Sequence, residues 1–306
     1  LGTQLQQQVA NPFYGIITTG PLSLPTVQRG QLELPFPEYQ STTDFGGYVG
    51  DSSYHSLQVK AEKRFSSGGN ILAAYTFSKI LTNTETLTSW LEGGSTGTGA
   101  AGVQDYTNLR AERALSSFDS RQRLTIGYVV DLPFGKGKKF LPGATGFTDK
   151  LVSGWGLNGL ITFQDGFPLA LGATPNLTGF NTGLRPNVVN GCNKTLDGPA
   201  QARLSRWFNT SCFSVPGAFT FGNESRTDPD LRGQGIANYD IALFKKTNLT
   251  ERVHLEFRTE AFNLFNRVKF GNPNLTTTTA ANSTFGVVST QLNTPRLIQL
   301  ALRLQF

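Results

Sequence analysis

Apolar side chains recur at every second position along this chain, not every third or fourth. The clearest stretch is the last one, where Ile298, Leu300, Leu302, Leu304 and Phe306 alternate with Gln299, Ala301, Arg303 and Gln305. Period-two alternation makes a strand with one apolar and one polar face. From Ile298 to Phe306 the apolar face is as long as a membrane-crossing strand, which needs about nine to eleven residues.

Six more segments repeat the pattern. Residues 54–65 place Leu57, Val59, Ala61, Lys63 and Phe65 on one face, and 71–78 place Ile71, Ala73, Tyr75 and Phe77 together. The segments 121–132, 154–164, 238–246 and 252–264 follow, the last with Val253, Leu255, Phe257, Thr259 and Ala261 opposite His254, Glu256, Arg258 and Glu260. Charged residues on that second face suit a wet lumen and would be costly in lipid. Lys63 breaks the rule and is expected to snorkel at a rim. Gly156 and Gly159 are tolerated in a curved strand.

Registers follow from turn length. A five-residue connection at 66–70 predicts Arg64 opposite Leu72 and Glu62 opposite Ala74. A three-residue turn at 248–250 predicts Asp240 opposite Arg258, a structural lumen ion pair. A five-residue turn would set Asp240 against Glu260, a like-charge pair, so the first is preferred.

The connections sort by length. Those near 66–70 and 247–251 are short, and 133–150 is intermediate. Those at 79–118, 165–235 and 266–293 are long. Outer-membrane barrels have short periplasmic turns and long extracellular loops, whereas a Greek-key sandwich has no reason to sort its loops by parity. Phe65, Trp155 and Phe306 fall at one end of the strands, and Phe77, Phe163 and Tyr239 at the other, as two aromatic girdles would. Residues 1–52, broken by Pro12, Pro21, Pro25, Pro35 and Pro37, contain no crossing strand and are placed on the extracellular side. The fold class predicted is therefore all-β, an antiparallel transmembrane barrel wall with seven strands in 53–306.

Composition agrees. Charged residues are 16%, and Gly (34) and Phe (23) are plentiful, as many short strands and turns require. No run of eighteen apolar residues exists for a helical span. The net charge of +6 is scattered and forms no basic stripe, which argues against nucleic acid. Cys192 and Cys212 are the only cysteines and form a candidate disulfide in an oxidising compartment, with two unrelated thiols as the alternative. With no histidine nearby they make a poor metal site. The tract Gly135-Lys136-Gly137-Lys138-Lys139 lacks phosphate-loop spacing, and no helix is expected after it. The Gly/Ser/Thr tract at 93–102 reads as a flexible loop. The chain opens at Leu1, has no Met and shows no leader, so it is read as a piece of a longer precursor.

Several stretches, in order, carry a family resemblance. They include Asn11-Pro12-Phe13-Tyr14-Gly15, Ala74-Tyr75-Thr76-Phe77-Ser78-Lys79 and Phe163-Gln164-Asp165-Gly166-Phe167-Pro168. Arg185-Pro186-Asn187, Trp207-Phe208-Asn209 and Glu260-Ala261-Phe262-Asn263-Leu264-Phe265-Asn266-Arg267 come later. Together they resemble the C-terminal barrel portion of a TonB-dependent outer-membrane receptor of the Oar-like type. The resemblance implies a barrel of about 22 strands, plugged by an N-terminal domain that takes energy from TonB. It also implies a C-terminal strand, Ile298 to Phe306, read by the barrel-assembly machinery. Outer-membrane lipid would surround the wall, and the plug and signal peptide would lie outside this chain. Seven strands cannot close such a barrel alone.

The function expected is uptake of an unidentified ligand across the outer membrane. A secreted or surface β-rich binding or adhesion protein is the alternative; triplets such as Asn193-Lys194-Thr195 and Asn209-Thr210-Ser211 would suit a glycoprotein. No cofactor and no enzyme activity are expected, because His55 and His254 have no nucleophile placed beside them by any local motif.

Overall fold

One continuous antiparallel ladder organises the chain. The computed structural model describes residues 2–39, 49–66, 68–84, 102–176, 178, 183–280 and 283–306. Seven strands build the wall: β1 (Ser52–Arg64), β2 (Gly69–Thr82), β3 (Gln122–Asp131), β4 (Trp155–Gln164), β5 (Ile236–Asn248), β6 (His254–Phe262) and β7 (Leu297–Gln305). Each pairs only with its sequence neighbours, and the short strand Ala114–Leu115 adds to the far end of β2. Simple up-and-down order is what alternating apolar segments joined by hairpins produce. Among the described residues the ladder stays open, with β1 and β7 as its edges.

The apolar positions line up across the ladder. Ala61 lies beside Ala73, Ala73 beside Ile126, Ile126 beside Ile161 and Ile161 beside Tyr239. Leu157, Leu243, Thr259 and Leu300 form a second row. This face is not covered by any second layer at its β7 edge, where Leu302 is 69% exposed and Phe306 is 97% exposed. The opposite face carries Gln58, Thr76, Thr125, Thr162, Glu260 and Gln299. Phe244 also sits there, and it lies across Gly156, where an added Cβ would meet the ring at 2.2 Å. The glycine lets the ring lie flat across the neighbouring strand.

Both expected registers shift, with no change of face. Arg64 pairs with Asn70 and Glu62 with Leu72, two residues from the expected register. Gly68 and Gly69 adopt φ of 101° and 105°, and the Phe65 N–H donates to the Gly69 carbonyl at 3.0 Å, which tightens the turn. In the second hairpin, Asn248 pairs with His254, so Arg258 lies opposite Phe244 and not Asp240. The turn is wider because the Thr250 Oγ1 accepts the Val253 N–H at 3.1 Å and the Leu249 N–H reaches the Val253 carbonyl at 2.9 Å. Even-numbered slips leave every side chain on its own face.

At the short-turn end, a helix at Gly146–Val152 follows the Gly/Lys tract, contrary to expectation. The Lys136 N–H points to Asp149 Oδ1 at 3.3 Å and Ser153 Oγ at 3.1 Å, so the helix closes the turn on itself. Trp155 caps this end, with its Nε1 donating to the Leu151 carbonyl at 3.0 Å and Lys245 over its ring at 5.2 Å. The tract at 93–101 lies outside the described residues. Residues 2–39 form their own small ladder, Gln8–Ala10 against Thr26–Gln28.

The Phe262–Arg267 stretch is a corner. Asn263 and Asn266 both take the left-handed conformation, at φ 51°. Asn263 is buried, donates through Nδ2 to the carbonyls of Arg267 (2.9 Å) and Thr294 (3.2 Å), and accepts the Arg267 N–H at 2.8 Å. The Asn266 Oδ1 accepts the Arg296 N–H at 2.9 Å. Two asparagines thus aim the chain leaving β6 at the chain entering β7. Replacing Asn263 with Ala removes these bonds and keeps the backbone strain, so urea unfolding of the bilayer-reconstituted protein should show a loss of about 2–4 kcal/mol. Unchanged stability would contradict this role.

Candidate functional site

The long connections do not hang free. The described residues of those at 102–121, 165–235 and 263–296 all lie beyond the same end of the wall and fold into one cap. Its apolar core contains Leu169, Leu171, Trp207, Phe208, Phe213, Leu231, Phe285 and Val288. The rings of Phe208, Phe213 and Phe285 meet edge to face at 5.1–5.9 Å, and such pairs add about 0.5–1.5 kcal/mol each beyond burial. A parallel ladder of Gly172–Thr174 with Thr276–Thr278 joins two of the connections.

Cys192 and Cys212 are bonded, with Cα atoms 5.6 Å apart. The link closes a loop of 20 residues, which the chain-entropy account values at about 3 kcal/mol. Cys212 belongs to the apolar core, so the loop is anchored to it.

Buried charges fasten the cap to the wall. Arg185 and Glu112 form a two-pronged pair at 2.7 and 3.1 Å, with the Glu112 side chain fully buried. Arg226 donates to the Glu112 carbonyl at 3.0 Å and to the Thr82 carbonyl, at the end of β2, at 2.8 Å. Thr227 Oγ1 donates to the Leu115 carbonyl. Arg232 holds Asp119 Oδ2 at 2.6 Å and the carbonyls of Asp119 and Gly166, while Asp119 Oδ1 accepts the Ile80 N–H at 2.9 Å. Burial pushes Arg226 down to about 10, so it stays charged at neutral pH. Burial raises the Glu224 carboxyl, and repulsion by Asp228 adds to it. For Lys194, burial acts downward, but bonding to Asp228 at 2.7 Å and the negative charges of Asp228, Glu224 and Asp230 together outweigh it, and the group is raised. Guanidinium suits this seam because its planar fork satisfies a carboxylate and several carbonyls at once.

The sequence-predicted ion pair is not formed. Arg258 Nε donates to Glu260 Oε1 at 2.6 Å along the same strand, and Asp240 accepts from Asn238 Nδ2 at 2.8 Å and the Asn263 N–H at 2.9 Å. Ile298, Leu300, Leu302 and Leu304 share the apolar face of β7. His55 and His254 lie on opposite faces of the wall, on β1 and β6. Charge pattern alone hides the cap seam, although Arg226-Thr227-Asp228-Pro229-Asp230-Leu231-Arg232 is a dense charged run in an otherwise weakly charged loop.

The family model for the outer membrane beta barrel domain matches residues 1–299. The chain belongs to this outer membrane beta barrel family. Its apolar face is therefore the lipid-facing surface of a wall in the bacterial outer membrane, and the capped end is extracellular. Among solved structures, the outer membrane transporter YddB from Escherichia coli aligns over 84% of this chain, with 9% identity and a TM-score of 0.38. The chain spans about a quarter of that transporter's length (25%). No curated protein matches in sequence.

In this barrel wall the cap stands or falls with its buried pairs. Removing one partner of such a pair costs about 3–5 kcal/mol. The Glu112→Ala variant should therefore open the cap to limited proteolysis on intact cells while the heat-shifted gel mobility of the wall persists. Equal protease resistance in variant and parent would show that the seam does not hold the cap.

Proposed function

We propose that this chain forms part of the wall and the extracellular cap of a TonB-dependent transporter of the Oar-like type, one that takes up an external ligand with energy from the inner membrane. The observation that carries this reading is the asymmetry of the two ends. One end has tight turns and a seven-residue helix, and the other gathers three long connections into a single fastened cap above a polar wall face. That arrangement suits capture of a ligand outside and its passage along the lumen.

Physical reasoning supplies the partners. In hydrocarbon each unpaired backbone group costs several kcal/mol, so the edges of β1 and β7 require neighbouring strands, which a barrel of about 22 strands provides. The polar face needs water or a plug domain against it. The alternating β7, with Phe306 beyond it, is the segment that the barrel-assembly machinery would read. No catalytic role is assigned, because the two histidines lie on opposite faces of the wall and His254 is taken up by Asn248 at 2.8 Å.

The test is binding of the purified periplasmic domain of TonB to the intact parent protein in nanodiscs. Saturable binding that is lost when the plug's energy-coupling segment is deleted is the expected result. No binding under any ligand condition would leave a barrel without energy coupling and overturn the transporter reading.

A further inference from the structure

At the periplasmic end the connection between β3 and β4 is longer than the hairpins and carries the helix Gly146–Val152. Two tethers hold this helix to the outer side of the rim. Trp155 stands in the lipid-facing row with Leu157 and Ile161, and its Nε1 donates to the Leu151 carbonyl at 3.0 Å. Lys245, its cross-strand partner in the same row, donates through Nζ to the Ser153 carbonyl at 2.6 Å. Both tethers rise from the lipid-facing side of the wall, so the helix lies beside the rim and not across the lumen. Asp149 turns the other way. It accepts from the Ser153 hydroxyl and from the Lys136 N–H at 3.3 Å, inside the connection.

The side of the helix turned away from Asp149 is apolar and uncovered. Phe147 is 82% exposed and Leu151 is 58% exposed. They are four residues apart and share one face with Lys150. Phe140 and Leu141 are exposed in the same connection, and Lys139 Nζ lies 5.5 Å over the Phe140 ring. The ammonium groups of Lys136, Lys139 and Lys150 make no hydrogen bond or ion pair among the described residues. The two acids of the connection are engaged, Asp149 as above and Asp131 by Lys138 at 3.6 Å. An apolar patch ringed by uncommitted cations therefore lies on the lipid side of the periplasmic rim.

We propose that this connection is an anchor lying in the membrane plane that takes anionic phospholipid of the periplasmic leaflet. Phe147 and Leu151 enter the boundary between acyl chains and headgroups, and the lysines meet the headgroup phosphates. A short segment with an apolar face and lysines binds such a surface by burial and charge together. The long lysine stems let the ammonium groups stay in water above the buried rings. The tethers favour lipid over an acidic periplasmic protein, because they set the patch on the lipid-facing side. This contact belongs to a helix outside the ladder, at the end opposite the cap. It rests on the orientation of the wall in the outer membrane and is independent of transport.

Two measurements on the intact parent protein test it. The first places a nitroxide on a Phe147→Cys variant, since Cys192 and Cys212 are bonded to each other. In nanodiscs of equal parts phosphatidylcholine and phosphatidylglycerol, the label should be reached by oxygen and shielded from an aqueous nickel chelate. The second titrates each lipid onto the protein in uncharged detergent and counts bound lipid by native mass spectrometry. Each lysine near an anionic surface contributes about fivefold, so the Lys136→Gln/Lys139→Gln/Lys150→Gln variant should hold phosphatidylglycerol about tenfold to a hundredfold more weakly. Phosphatidylcholine binding should not change, and the three Lys→Arg replacements should keep the parent's affinity. All three side chains are exposed, so the variant should keep its heat-shifted gel mobility. A label at 147 open to the nickel chelate would overturn the proposal. Equal retention of phosphatidylglycerol by parent and glutamine variant would overturn it as well.

Discussion

Lipid offers no hydrogen-bond partners, and this constraint fixes the wall. Every backbone N–H and carbonyl in hydrocarbon must be paired by a neighbouring strand. The strands β2 to β6 meet it by lying between their sequence neighbours without a crossover, and β1 and β7 meet it on one side. The same constraint explains the composition. Only alternate residues face lipid, so a membrane wall can be built from a chain with 38% hydrophobic residues. The dense charged run at 226–232 falls in the cap, beyond the ends of the strands.

A second interaction divides the molecule into wall and cap. Long loops cost entropy to order, and this cap is ordered by three means acting together. An aromatic core excludes water, a disulfide anchors one loop to that core, and buried arginines bridge the core to the strand ends. Glu112 and Asp119 lie fully or almost fully buried, so each guanidinium that meets them also replaces lost water. A seam of this kind favours one docking geometry, because a displaced cap would leave charges buried and unpaired.

Sequence reasoning reached the wall far more fully than the cap. Each strand announces itself because a lipid face and a wet face force period two, as in Ile298 to Phe306. Face assignments survive because they depend only on parity. Registers do not, because a slip of two residues, or of four, leaves every face unchanged. Asp240 and Arg258 were matched by charge, yet Thr250 widens the turn and Asn263 claims Asp240. The cap seam was opaque for a different reason. Glu112, Arg185, Arg226 and Arg232 are far apart in sequence, and in loops such charges ordinarily sit in water. The corner at Asn263 and Asn266 showed itself in sequence only as part of a family motif, and its cause is the left-handed backbone that asparagine tolerates.

A lipid-facing wall requires β7 to present alternate residues to lipid. Single cysteines placed at positions 298 to 305 of the intact protein can carry a fluorophore, since Cys192 and Cys212 are bonded to each other and do not react. In bilayers containing brominated lipid, labels at Ile298, Leu300, Leu302 and Leu304 should be quenched. Labels at Gln299, Ala301, Arg303 and Gln305 should instead respond to an aqueous quencher. Quenching with no alternation, or with the two sets reversed, would contradict the account.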